Sequence, residues 1–203
     1  MPHAWGVVVA AGAGSRFGRP KHALEVGGLA LWKRARNALL EGGCVGVVVV
    51  GDVPDGVQGG ARRRDSVLAG LTAVPDVEYV LIHDAARPLG SAALVASVLR
   101  ALTEGADAVV PAVPVNDALK RVEDETITGH VNRTGIVAVQ TPQGFRLDVL
   151  RAAHEAMPGD AHDDAQLVSA HGRTVITIPG EVTNLKITYP DDLLLAESIW
   201  SQV

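Results

Sequence analysis

The loop Ala10-Ala11-Gly12-Ala13-Gly14-Ser15-Arg16-Phe17-Gly18-Arg19-Pro20-Lys21 has the residue types for holding an anion. Its glycines permit close backbone approach and let successive N–H groups point at one ligand. Arg16 and Lys21 add positive charge, Arg16 as a planar fork and Lys21 as a point charge. The loop follows Trp5-Gly6-Val7-Val8-Val9, whose apolar run predicts a buried strand. A loop of this make-up at the carboxyl end of a first strand suits a nucleoside triphosphate, with Ala11, Gly12, Ala13 and Gly14 supplying backbone contacts. An ordinary strand-to-helix turn explains the glycines but not Arg16 and Pro20-Lys21 together.

Two familiar glycine motifs are excluded. The dinucleotide fingerprint needs a glycine where Phe17 stands, and no register of the loop gives the P-loop spacing. These negatives point to nucleotidyltransferases of the pattern Gly-x-Gly-x-Arg-x-Gly…Pro-Lys.

His83-Asp84-Ala85-Ala86-Arg87-Pro88 ends a second apolar run. A carboxylate there is costly unless it meets a cation or hydrogen bonds, so Asp84 is the candidate Mg²⁺ ligand. Pairing of Asp84 with Arg87 is the simpler alternative, and His83 reads as structural. Gly59-Gly60-Ala61-Arg62-Arg63-Arg64-Asp65-Ser66 is a second glycine loop running into a helix. Its backbone could read a base edge with help from Ser66. At least two of its arginines read as a solvated patch. Lys186, between Leu185 and Ile187, is expected on a short alternating strand, sharing a polar face with Asn184 and Thr188.

These residues need a scaffold, and the pattern supplies one. Val-rich runs at Trp5 to Val9, Val45 to Val50, Tyr79 to His83 and Ala108 to Val113 alternate with helical segments. The helices are expected around Leu31 to Leu40, Asp65 to Ala73 and Ser91 to Leu102, with Ser91 as an N-cap. This alternation predicts an α/β fold, a doubly wound, mostly parallel sheet covered on both faces. Such sheets bind ligands outside the carboxyl ends of their strands, where the motifs above fall. From Asn116 to about Val139 the chain turns polar and strand-like, with Lys120, Arg121, His130 and Arg133. We read residues 116–139 as a protruding β-arm that packs on another subunit, because an uncovered hairpin is marginal.

At 203 residues one domain, 1–203, is expected. The net charge of -5 disfavours a general nucleic-acid or membrane surface, so local cations must meet any anionic ligand. Cys44 is the only cysteine and reads as a buried thiol, which suits a reducing compartment. No signal peptide or membrane span is expected, and hence a cytoplasmic location.

Taken in order, these blocks resemble the 2-C-methyl-D-erythritol 4-phosphate cytidylyltransferase family. Ala10 to Lys21, Asp65 to Leu71, His83 to Pro88, Val113 to Lys120, Val131 to Gly135, Gln140 to Phe145 and Asn184 to Leu193 carry the likeness. It implies a Rossmann-like nucleotidyltransferase fold, a homodimer with exchanged arms, and transfer of CMP from CTP to methylerythritol phosphate with Mg²⁺. It further implies Arg16, Lys21 and Lys186 as the catalytic cations, Gly60, Ser66 and Ala85 near cytidine, and Asp84 on the metal. Arg87, Arg133, Thr141 and Lys186 are then expected around the sugar phosphate, Arg133 from the partner subunit. Ala118 and His162 stand where the family commonly has threonine, and the segment from Gly51 to Gly60 is shorter than usual. The alternatives are a cytidylyltransferase for another polyol phosphate, such as ribitol 5-phosphate, and a non-catalytic nucleotide-binding module. A dinucleotide oxidoreductase fails on the fingerprint.

Overall fold

The structure is a computed structural model that describes residues 3–12, 24–157, 159 and 161–202. In chain order its elements are β1 (Ala4–Val9), β2 (Glu25–Val26), β3 (Leu29–Ala30), α1 (Leu31–Glu41), β4 (Gly46–Val50), α2 (Arg63–Ala73) and β5 (Tyr79–Asp84). There follow α3 (Ala92–Thr103), β6 (Ala108–Pro114), β7 (Lys120–Glu123), β8 (Thr126–His130), β9 (Val137–Val139) and β10 (Gln143–Arg146). The last are α4 (Leu147–Ala156), α5 (Asp164–Ala170), β11 (Val175–Pro179) and α6 (Pro190–Trp200).

The main sheet runs β11-β6-β10-β5-β1-β4, with β9 also on β6. Its apolar strands β1, β4 and β5 pair in parallel, as continuous hydrophobic runs require when both faces are covered. Side chains alternate across it. Val8 and Leu81 pack under α1 and α3 with Leu39, Val95 and Leu99, while Val7, Val80 and Ile82 meet Val67 and Leu71 of α2 and Leu150 of α4 on the other face. The sheet is therefore mostly parallel and doubly wound, and the expected strands and helices form within a residue or two of their predicted ends. Ser91 does cap α3, accepting a hydrogen bond from Leu94 N–H at 3.0 Å.

β10 is the exception that the pattern does not announce. It lies antiparallel between β5 and β6, pairing Gln143 with Ile82 and Gly144 with Val109. Its amino end therefore lies at the same edge as the carboxyl ends of β1 and β5, which brings Thr141 to Asp84. Segment 116–139 is a hairpin, β7 on β8, turned at Asp124 and Glu125, both of positive φ. It returns through β9 onto Ala112–Pro114 of β6. Cys44 is buried, and burial pushes its thiol up to about 12, as a structural cysteine requires.

A third cluster joins Leu24 and Val26 to Ile187 and Ala196, so α6 packs against the β2–β3 hairpin. The Glu197 carboxylate accepts the Gly27 N–H, and Trp200 lies 3.6 Å from the Arg34 guanidinium. No helix among the described residues is long and apolar enough to cross a membrane.

Gly70 shows how tightly α2 sits on the sheet. A Cβ there would stand 2.5 Å from Val7 Cγ1 and 3.0 Å from Val50 Cγ2. Gly70→Ala gains up to ~1 kcal/mol of helix propensity but overpacks a rigid strand at a cost of ~1–3 kcal/mol. The variant should therefore be less stable by up to ~2 kcal/mol in urea unfolding; equal or greater stability would contradict this packing.

Candidate active site

Asp84 is the last residue of β5, paired in register with Val9 at the end of β1. Its Oδ1 accepts from Arg63 Nε at 3.1 Å and its Oδ2 from Lys186 Nζ at 2.7 Å. Burial pushes the Asp84 carboxyl upward, but the Arg63 and Lys186 charges outweigh it and hold the group well below the usual carboxylate range. Asp84 is thus a permanent anion at neutral pH. Its backbone N–H donates to Thr141 Oγ1 at 3.0 Å, and His83 Nδ1 lies 2.8 Å from the same hydroxyl.

The partner of Asp84 is not the one that sequence spacing suggests. Arg87, three residues on, donates from Nη1 to the Asn184 carbonyl at 2.7 Å and from Nη2 to that of Val139 at 3.3 Å. It ties the Lys186 segment to the base of the arm. Burial lowers the Arg87 pKa, with Asp84 opposing the shift.

Lys186 also differs from expectation. Residues 184–188 form no strand but an extended strap, held where Ile187 N–H donates to the Ala86 carbonyl at 2.8 Å. Alternation still puts Ile187 in the core and Lys186 at the site. Asn184, expected on a polar face with Lys186 and Thr188, is fully buried, donating to the Thr141 carbonyl at 2.9 Å.

The arginine run differs as well. Only Arg62 is solvated in the expected way, pairing with Asp65 at 2.7 Å. Arg63 turns inward to Asp84 and to Asp164 Oδ2, the latter at 2.7 Å. Arg64 is buried and donates to the carbonyls of His154 and Gly159. Arg62 is the extended N-cap, and Arg63 and Arg64 in the first helical turn point about 100° apart, so the three do not share one solvated face.

The two glycine loops meet. A Cβ on Gly59 would stand 2.4 Å from Ala11 Cβ, which requires glycine there. Gly60 N–H donates to Ser66 Oγ at 3.1 Å, and Ser66 donates to the Arg62 carbonyl at 3.2 Å. Ser66 is buried and holds the loop's shape. Ala85 is buried beside β1, its N–H donating to the Val9 carbonyl at 3.0 Å, while Gly12 is exposed. Ala13, Gly14, Arg16 and Lys21 lie outside the described residues. Arg133 is exposed on the arm and donates to the carbonyls of Val115 and Asn116, bracing the arm's base within its own chain.

This edge therefore presents a glycine-lined backbone, a fixed anion and several cations in one place. The family model described as 2-C-methyl-D-erythritol 4-phosphate cytidylyltransferase (IspD) matches residues 5–202. The chain belongs to the IspD family. It is 44% identical over 211 residues to the cytidylyltransferase of that name from Rhodococcus jostii, covering 95% of this chain and 93% of the relative. A bifunctional IspD/IspF enzyme of Solidesulfovibrio magneticus is 42% identical, over 96% of this chain but only 56% of the longer relative. The crystal structure of the Thermus thermophilus cytidylyltransferase superposes with a TM-score of 0.84 at 39% identity, covering 97% of this chain and 98% of that one.

Within this IspD chain, Asp164 and His154 are site neighbours that sequence reasoning missed. Asp164 Oδ1 lies 3.1 Å from His154 Nε2, and both side chains are buried. Burial raises the Asp164 pKa, but the His154 hydrogen bond and the Arg63 charge more than reverse it. The Asp163-Asp164 pair at the start of a short helical segment was the available signal; the burial of Asp164 and its partner could not be read from it. Ala118 and His162, the two departures from the family pattern, are both exposed.

His83 predicts an acid response. Burial pushes its imidazole from 6.5 down to about 4, against the pull of Asp84. The unfolded chain therefore takes up a proton that the folded one refuses. The His83 contribution to stability is full above pH 6.5 and falls away as pH drops toward about 4. The Asp84 contribution persists until lower pH, below the ordinary carboxylate value of 3.8. Thermal unfolding at pH 7 and pH 4.5 should show a lower Tm at the acid value, with a smaller drop in His83→Gln. An equal drop in both proteins would remove His83 as the cause.

Proposed function

We propose that this chain, as a single catalytic domain over residues 1–203, transfers CMP from CTP to 2-C-methyl-D-erythritol 4-phosphate and releases pyrophosphate. The observation that carries the reading is the convergence of Asp84, Arg63 and Lys186 beside the Ala11–Gly59 contact, in a chain of the IspD family. A phosphate oxygen of the polyol phosphate attacks the α-phosphorus of CTP. The bond from that phosphorus to the α,β-bridging oxygen breaks, and its electron pair leaves with pyrophosphate. No general base is needed, because a phosphate monoester with a second pKa of about 6 is largely dianionic at neutral pH.

The obstacle is two anions meeting. Positioning and charge neutralisation therefore carry the catalysis, and Arg16, Lys21 and Lys186 are the cations assigned to it. Ala11, Gly12, Ala13, Gly14, Gly60, Ser66 and Ala85 form the nucleotide side. Arg87, Thr141, Lys186 and a partner's Arg133 form the polyol-phosphate side. Within one chain the Thr141 hydroxyl is buried beside Asp84 and His83, so it orders the strand end on which that pocket rests.

Mg²⁺ is assigned to Asp84. The described residues hold no group of three or more metal-ligating side chains, so the protein alone makes no closed cage. One permanently ionised carboxylate whose oxygens each keep a spare lone pair fits Mg²⁺, which takes one or two carboxylates and fills its sphere with phosphate oxygens and water. The ion would neutralise charge on the triphosphate.

Pyrophosphate release should appear with CTP and methylerythritol phosphate and not with ribitol 5-phosphate. Release only with ribitol 5-phosphate would overturn the substrate, and silence with both would favour a binding module. Lys21→Ala should lower kcat by roughly 10²–10³-fold, by analogy with loss of one oxyanion donor; normal turnover would remove Lys21 from the chemistry.

The same proposal makes the protein a cytoplasmic homodimer through the arm. Val122 and Ile127 are opposite one another on β7 and β8 and 58% and 56% exposed, an apolar pair that water alone does not favour. Ile127→Asp should shift the protein toward monomer in sedimentation velocity. An unchanged dimer, or a wild-type monomer, would contradict an arm-mediated contact.

A further inference from the structure

Asp84 is held by two cations that differ in how they are themselves held. The Lys186 side chain is 46% exposed, with Asp84 as its only ion-pair partner among the described residues, and it sits on a flexible stem. The Arg63 side chain is 26% exposed and is gripped at both ends of its fork: Nε by Asp84 and Nη1 by Asp164. Asp164 is 1% exposed, and its other oxygen faces His154 Nε2 of α4. The start of α5 is itself tied to the sheet, since Gln143 Nε2 of β10 donates to Asp163 Oδ2 at 2.9 Å. Arg63 is thus pinned to a carboxylate anchored on two further elements. Lys186 is free to swing.

We infer that Asp164 is a positioning residue which, through Arg63, keeps Asp84 in place when Lys186 leaves it for a phosphate group. This rests on the transfer reaction proposed above. An arriving triphosphate attracts both cations. Moving Lys186 leaves Asp84 still neutralised by Arg63. Moving Arg63 would strand Asp164 as a buried carboxylate without its guanidinium, which the low-dielectric interior strongly disfavours. The second carboxylate therefore decides which cation follows the substrate. It gives the four groups two roles: Arg63 and Asp164 are the fixed frame, and Lys186 is the mobile charge.

The test is a double-mutant cycle with kcat and KM read separately. Asp164→Asn should lower kcat by roughly 10–100-fold, the scale of an ångström misplacement, with the KM for CTP within about threefold. In an Arg63→Met background the same substitution should cause no further loss. Wild-type kcat in Asp164→Asn, or losses that simply multiply in the double variant, would overturn the inference. Should Asp164→Asn fail to fold, Arg63→Lys serves instead, because one ammonium cannot bridge both carboxylates; its kcat should fall likewise, and wild-type turnover would refute the role.

A wild-type protein that releases no pyrophosphate refutes the reaction, not the anchoring. A ¹⁵N spectrum still decides the latter. The Arg63 Nε–H signal should keep its position when CTP is added to the wild-type protein while the Lys186 Nζ signal moves, and a moving Arg63 signal with a fixed Lys186 would sink it.

Discussion

The site depends on one electrostatic constraint: a carboxylate at the end of a buried strand must be neutralised. Asp84 leaves β5 among apolar side chains, where an unpaired charge is prohibitively costly. Its two neutralising groups come from 21 residues before it and 102 residues after it. Satisfying that single anion therefore draws the start of α2 and the Lys186 strap to one place. Asp164 then follows, because this buried carboxylate needs a cation and Arg63 reaches it from Asp84.

The sheet makes this convergence possible. Parallel strands β1, β4 and β5 end at one edge, so the loops after them must share it. The antiparallel β10 contributes from its amino end, delivering Thr141 to the Asp84 N–H and Gln143 to the start of α5. One reversed strand thus links the nucleotide edge to the element that carries Asp164. The arm is inserted at the tip of this reversal: the chain runs out along β6, makes the β7–β8 hairpin and returns along β6 through β9 before β10 begins.

A second layer of order comes from backbone carbonyls acting as partners for cations. Arg87, Arg64 and Arg34 each donate to main-chain oxygens, joining separate segments through the backbone. They fasten strap to arm base, α2 to the α4–α5 connection, and α1 to the β2–β3 hairpin.

Much of this was legible in the residues alone. The Val-rich runs determined the parallel strands, since nothing but a two-sided sheet buries them, and Ser91 marked the start of α3 by its capping chemistry. The polar stretch from Asn116 marked the β7–β8 hairpin, because local physics acts over a few residues. The partners of Asp84 were not legible. Arg87 was nearest in sequence, yet Arg63 and Lys186 were nearest in space, and no periodicity reports contacts 21 and 102 residues apart. Nor could an Arg-Arg-Arg run say which member turns inward, since that depends on where α2 begins and what lies beneath it. The sequence by itself determined the main apolar strands, the helices between them and the kind of chemistry; the tertiary structure decided the reversed strand β10 and which charges meet, because packing, not spacing, sets the dielectric and the distance between them.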